Sequence, residues 1–294
     1  MKIILDAMGG DLAPQAPVLG AIQAARDFGA QITLVGRGEE ILKVLKDNGI
    51  HDLPEGIVIS DAEEVVDMHD DPANVIRKKK NSSMVIGLRM LAEGEGDAFI
   101  SAGSTGALLS GATLIVKRVK GIRRAAMGPL MPNKAGGKTM LLDCGANAEC
   151  TPEFLLQFGL IGSLYMKKNL GLENPRVGLL NIGTEDTKGT PLQKEAHALL
   201  TQAHEQGILN FVGNIEGRDV LIDHCDVLVA DGFSGNIALK SVEGCAGFMY
   251  GMMKTMFKTS LKTKIAALLL KDQLGAFKSK MDYRYYGGGV VMGV

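Results

Sequence analysis

Residues 138–170, KTMLLDCGANAECTPEFLLQFGLIGSLYMKKNL, decide the fold class. The stretch opens as a short apolar strand that runs into an acid, Asp143. A Gly-containing loop follows, Asp143-Cys144-Gly145-Ala146-Asn147. Thr151 then reads as an N-cap and Pro152 as the first residue of a long helix, because proline lacks the N–H that a first turn leaves unpaired. The same pattern recurs along the chain. KIILDA (2–7), QITLVG (31–36), GIVISDA (56–62) and DAFISAG (97–103) read as strands upstream, with helices over 14–29, 36–49, 81–96 and 104–119. Downstream, RVGLLNIG (176–183), LNFVGNI (209–215) and CDVLVADG (225–232) read as strands, with a helix over 191–207 and a long helical region after Gly232. Such alternation predicts an α/β fold with a mostly parallel sheet.

Composition narrows the class. At roughly 100–200 residues per domain, 294 residues make one large domain or two. A chain 46% hydrophobic and 22% charged is globular, which excludes disordered, coiled-coil and collagen-like classes. The net charge of -1 offers no basic field for nucleic acid. Four cysteines without a C-x-x-C pair indicate neither zinc nor a disulfide framework. MKIILDAMGGD carries an acid at Asp6 and no apolar core of a signal peptide. The apolar runs fall short of the ~20 residues that span a bilayer. The expectation is a cytoplasmic, reduced protein.

Ligands of parallel sheets bind outside the carboxyl ends of the strands. Six such ends here combine glycine with small polar or acidic residues: 6–11, 101–106, 143–147, 181–185, 213–219 and 231–236. Backbone N–H groups in Gly-rich loops at helix N-termini bind anions, phosphate above all. Any one of these loops also reads as a plain turn; together they point to an anion site. Gly137-Lys138-Thr139 is not a Walker loop, since Pro132 stands where glycine is required and a strand follows. No dinucleotide fingerprint and no G-x-S-x-G elbow is present, and no histidine pairs with a second ligand at metal spacing. Cys144 reads either as a nucleophile or as a small buried filler. The basic runs Arg77–Lys80 and Lys117–Arg124 read either as solvated surface or as a docking patch for an acidic partner.

The motifs together resemble the phosphate acyltransferase family, the acyl-carrier-protein:phosphate transacylases of bacterial phospholipid synthesis. They are DAMGGD (6–11), RKKKNSSM (77–84), SAGSTGA (101–107), LLDCGAN (141–147), LLNIGTE (179–185), GNIEGRD (213–219) and DGFSGN (231–236). Two departures stand out. The family usually carries Asn at Ser104, and it continues for some tens of residues beyond Gly287-Gly288-Gly289. The second half is also similar, more distantly, to phosphate acetyltransferase. The resemblance implies a three-layer α/β architecture like that of isocitrate and isopropylmalate dehydrogenases, with two subdomains around a cleft. These would be residues 1–128, completed by 282–294, and residues 129–281, with a helical hairpin near 244–281. A homodimer is implied as well.

The implied reaction moves a fatty acyl group from acyl carrier protein to inorganic phosphate, with no metal and no cofactor. Phosphate is the nucleophile, so the site needs backbone N–H groups, a cation and amide donors. Lys188 is the expected cation, although by itself it reads as a solvated loop lysine. Asn236 and Asn147 are the expected amide donors, and Asp231 and Asp143 orient them or handle a proton. Gly103, Ser104, Thr105, Gly106 and Gly183 form the expected phosphate-binding set. Arg77, Lys78, Arg123 and Arg124 are the expected contacts for the acidic carrier protein. Over 244–281, Met253, Phe257 and Leu261 recur at helical spacing, with lysines on another face and Asp272 as the only acid between residues 251 and 280. This stripe either packs on a core or a dimer partner, or contacts an anionic membrane. The alternatives are a short-chain phosphate acyltransferase acting on acetyl- or butyryl-CoA, an NAD-dependent decarboxylating dehydrogenase, and a non-catalytic lipid-surface protein.

Overall fold

In the computed structural model, which describes residues 1–281 and 288–294, all eight apolar runs form strands. β1 (Lys2–Asp6), β2 (Gln31–Gly36), β3 (Ile57–Asp61) and β4 (Ala98–Ile100) make a parallel sheet in the order β3-β2-β1-β4. Their helices are α1 (Gln15–Phe28), α2 (Gly38–Asp47), the single turn α3 (Val75–Lys78), α4 (Ser83–Ala92) and α5 (Thr105–Gly111). α5 runs on as a π-helical turn over Ala112–Val116. α1 stops at Gly29, whose φ of 62° lies in the left-handed region that favours glycine. Side chains alternate across a strand. Ile32 and Leu34 therefore pack with Val18, Ile22, Ile41 and Leu45 of α1 and α2. Val35 and Ile4 face the other way, toward Ile86 and Met90 of α4. Helices on both faces of one sheet make three layers.

The rest of the chain repeats this plan. It holds β5 (Ala126–Gly128), β6 (Leu130–Pro132), β7 (Lys138–Leu142), α6 (Pro152–Leu170), β8 (Arg176–Asn181), α7 (Pro191–Glu205), β9 (Asn210–Glu216) and β10 (Val227–Val229). Then come α8 (Gly232–Lys258), α9 (Leu261–Leu269), α10 (Lys271–Met281) and β11 (Val290–Met292). The larger sheet has the order β6-β7-β10-β8-β9 and is parallel except for β6. β11 pairs antiparallel with β5. Met140, Leu142, Val227 and Val229 pack under Leu155, Phe158 and Leu200 of α6 and α7. Leu141 and Leu228 point to the opposite face, with Leu239 of α8 packed there.

The chain divides into two units, Met1–Lys120 with Val294 and Gly121–Gly293. The division thus lies at 120/121, where the sequence reading put it at 128/129. Of the segment expected to complete the first unit, residues 282–287 lie outside the described residues, and β11 pairs within the second unit. The long helical region expected after Gly232 begins there as one 27-residue helix, and α9 and α10 continue it through the span expected as a hairpin.

Candidate active site

Strand order places the ends of β7, β10, β8 and β9 next to one another, and each end carries polar residues. Asp143 follows β7 and is completely buried. A buried carboxylate must be surrounded by donors. Its Oδ1 accepts from the backbone N–H groups of Met127 (3.0 Å) and Ala146 (3.2 Å). Its Oδ2 accepts from the Asn147 backbone N–H (2.7 Å) and from Asn147 Nδ2 (3.0 Å). Asn147 Nδ2 also donates to the Ala125 carbonyl at 2.8 Å. Both amide hydrogens of Asn147 are therefore used inside the protein. This corrects its expected role: Asn147 fastens the loop and has no N–H left for a substrate oxygen.

Asp231 caps α8, its Oδ1 accepting from the Ser234 N–H at 2.8 Å. The first turn of α8 lies directly on the Asp143 loop, and glycine makes this possible. A Cβ on Gly232 would stand 2.5 Å from the Asn147 carbonyl oxygen, and one on Gly235 only 2.0 Å from that of Asp143. The contact holds Asn236 over Gly145, where a built Cβ would lie 3.8 Å from the Asn236 side chain. Asn236 itself is exposed.

Lys188 sits in the loop between β8 and α7, and two asparagines not foreseen from the sequence hold that loop. Asn181 Oδ1 accepts from the Ile182 N–H at 2.8 Å, and its Nδ2 donates to the Lys188 carbonyl at 3.2 Å. Asn214 Nδ2 donates to the Glu185 carbonyl at 2.8 Å, while its Oδ1 is buried without a partner. Their signal was present in LLNIGTE and GNIEGRD, as amides at strand ends, but only the pairing of β8 with β9 puts them on one loop. Gly189 (φ 95°) passes so close to Asn181 that a Cβ would meet Oδ1 at 2.6 Å. Gly183 leaves room for the Lys188 stem, whose Cγ would be 2.9 Å from a Cβ there. The Lys188 side chain is exposed and forms no ion pair among the described residues.

The cysteine question resolves toward filler. Cys144 is buried, and burial followed by the Asp143 charge pushes its thiol up to about 12. A nucleophilic cysteine needs the opposite shift. Cys225, at about 12, and Cys150, at about 11, are raised by burial too. Among the described residues no group of three or more His, Cys, Asp or Glu could hold a metal ion.

The first unit builds its strand ends in the same way. Asp6 is buried, its Oδ1 accepting from the Met8 N–H at 3.1 Å and its Oδ2 from Ser101 Oγ at 2.7 Å. Ser101 Oγ in turn accepts from the Gly103 N–H at 3.1 Å. Ser104 is the N-cap of α5, its Oγ accepting from Ala107 at 3.4 Å, and Thr105 beside it is exposed. Gly103, Ser104, Thr105 and Gly106 belong to this unit and Gly183 to the other. Arg77 and Lys78 are exposed at the end of α3. Arg123 and Arg124 lie in the second unit, and the Arg124 guanidinium sits 5.7 Å over the Phe154 ring. In the helical region Met253 and Phe257 are half-buried and Leu261 is 75% exposed. The most exposed apolar side chains there also include Phe248, Leu268 and Leu269.

The sequence model of a family described as fatty acid synthesis protein matches residues 1–294. Phosphate acyltransferases of Bacillus licheniformis and Bacillus cereus are each 46% identical to this chain over 295 aligned positions, covering 100% of it and 86% of their own length. A phosphotransacetylase from Streptococcus pyogenes has a similar fold, with a TM-score of 0.62 at 20% identity over 83% of this chain and 82% of that one. The EutD phosphotransacetylase from Staphylococcus aureus gives 0.61 at 18% identity over 84% and 82%. At such identities the likeness to the solved structures is one of fold. The relatives that share nearly half of the sequence go further, and the chain belongs to the phosphate acyltransferase family of enzymes.

Proposed function

We propose that this enzyme transfers a fatty acyl group from acyl-[acyl carrier protein] to inorganic phosphate, giving an acyl phosphate for phospholipid synthesis. A phosphate oxygen attacks the thioester carbonyl, the C–S bond breaks, and the thiolate departs and takes up a proton. One observation carries this reading: the strand ends offer an unpaired lysine and an exposed amide on fixed loops, while Cys144 beside them is too weakly acidic to act as nucleophile. Lys188 stabilises the charge on the oxyanion or on phosphate, and Asn236 donates a hydrogen bond. Asp231 and Asp143 orient the loops. Backbone N–H groups at Gly103, Ser104, Thr105 and Gly106 are the phosphate donors of the first unit, and Gly183 is that of the second. The isocitrate/isopropylmalate-dehydrogenase-like architecture is part of the proposal.

The test mixes the protein with palmitoyl-acyl carrier protein and phosphate and traps acyl phosphate with hydroxylamine. Hydroxamate above the phosphate-free control supports the reading, and its absence overturns it. Faster turnover of acetyl- or butyryl-CoA would move the assignment to a short-chain enzyme.

The acidic carrier protein is proposed to dock on Arg77, Lys78, Arg123 and Arg124, where opposite charge speeds encounter. Reversing Arg123 and Arg124 to Glu then raises KM for the carrier substrate alone; an equal rise for phosphate would remove the docking role. A homodimer and peripheral contact of a cytoplasmic enzyme with anionic membrane complete the proposal. Supporting the membrane contact are the exposed Leu261, Leu268 and Leu269 beside exposed Lys258, Lys262 and Lys264. No helix among the described residues is long and apolar enough to cross a membrane. Leu261→Glu with Leu269→Glu is expected to abolish salt-sensitive binding to anionic liposomes; a double variant that binds as before would exclude this contact.

A further inference from the structure

Besides the glycines that pack on the Asp143 loop, α8 presents a second face. Ser234, Ile237, Ser241, Val242, Cys245 and Met249 recur on it at helical spacing. At 1.5 Å per residue this stripe is about 22 Å long. It forms one wall of a cavity of about 1050 Å³, with Leu180, Val220 and Leu221 on the other side. Pockets for small ligands run to about 300–1,000 Å³, so this one suits a long ligand. Its walls are mostly carbon. Its two charged lining residues, Glu216 and Arg218, pair with each other at 2.6 Å and leave little charge for a ligand. Ser234 and Ile237 lie within two residues of Asn236, and Gly189 adjoins Lys188, so the cavity borders the turns that carry the proposed reacting groups.

We infer that this cavity receives the fatty acyl chain of the substrate, which runs from the Asn236 turn along Ile237 and Val242 toward Met249. The inference rests on the acyl-transfer reading and adds what that reading lacks, a structural basis for acyl-chain preference. Each methylene buried strengthens binding about fourfold. Affinity therefore rises steeply with chain length until the cavity is filled.

Cys245 reports on occupancy directly. It is the exposed cysteine, it lines the cavity, and Cys144 and Cys225 are buried. The first measurement is its alkylation rate by N-ethylmaleimide, followed by peptide mass spectrometry, with hexadecyl phosphate or butyl phosphate added below micellar concentration. At least tenfold protection by the hexadecyl compound, and none by the butyl compound, supports the inference. Equal rates with both overturn it. So does a Cys245 that fails to react in the ligand-free protein, since a second copy of the chain would then cover this face. The second measurement is Ala246→Trp, which narrows the cavity. The kcat/KM ratio of sixteen-carbon to four-carbon donors should fall at least tenfold; an unchanged ratio overturns the inference. If the unaltered protein makes acyl phosphate from no donor while hexadecyl phosphate still protects Cys245, the catalytic reading falls and the chain site stands.

Discussion

Asp6 and Asp143 stand at strand ends in different units, and they are exposed by only 2% and 0%. Each divides its carboxylate between the Gly-rich loop that follows and a distant segment, Ser101 for Asp6 and Met127 for Asp143. Asp6 takes one N–H and one hydroxyl, whereas Asp143 takes four N–H bonds. Around Asp6 stand Gly9, Ser101 and Gly103; above Asp143 stands the exposed Asn236, with the Lys188 loop on the strand beyond β10. The comparison separates two jobs that the motifs merge. The buried acid folds the loop, and the exposed Lys188 and Asn236 are the groups proposed to act on the substrate.

Lys188→Ala tests this division with the largest expected effect. One charge-stabilising group in a reacting site contributes about 2.7–4 kcal/mol to the barrier, so turnover should fall roughly 10²–10³-fold. Lys188 is exposed, so the melting temperature should hardly move. Turnover near normal at saturating phosphate would remove Lys188 from the mechanism.

Glycine substitutions probe the two floors. In Gly235→Ala the new Cβ would lie 2.0 Å from the Asp143 carbonyl oxygen, and in Gly9→Ala 2.7 Å from Asp6 Oδ2. Overpacking of this kind costs about 1–3 kcal/mol, and more where backbone blocks relaxation. Gly235→Ala should therefore show the larger fall in denaturant midpoint, because its overlap with backbone, at 2.0 Å, is much closer than the 2.8 Å between a Cβ on Gly9 and the Gly103 nitrogen. The reverse ranking would show that the α8 contact is the softer of the two.

Asp143→Ala and Asp6→Ala sharpen the comparison further. A buried donor left unsatisfied costs about 1–3 kcal/mol. Removing the acceptor of four bonds should lower thermal stability more than removing the acceptor of two. Equal losses would mean that Asp143 does not organise its loop as the distances indicate.

The smallest effect belongs to Cys144. With its thiol at about 12, almost no thiolate exists at pH 8, and reactivity appears only as pH rises toward that value. Iodoacetamide should leave Cys144 unlabelled at pH 8, and Cys144→Ser should keep most of the turnover. An acylated Cys144 that reacts with phosphate would replace direct displacement by a two-step route.

Local pattern was enough for much of this protein. Apolar runs located eight strands, Gly29 marked the end of α1, and the motif order identified the family before any coordinates. These are properties of neighbours in the chain. β5 and β6 escaped the reading because they are three residues each and carry Pro129 between them and Pro132 at the end, and β5 is completed only by β11, more than 160 residues later. The site residues divide along the same line. Lys188 and Asn236 are exposed, as their places in the strand-end motifs suggested, and their proposed roles rest on those motifs. Asn147 could not be assigned correctly, and Asn181 and Asn214 were passed over, because an amide's role depends on which partners consume its hydrogens. Ala125, which takes one hydrogen of Asn147, lies 22 residues away in the chain, and the Glu185 carbonyl meets Asn214 only when β8 pairs with β9. Sequence determined which segments become strands and which groups are available; tertiary pairing decided which of those groups are spent on the fold.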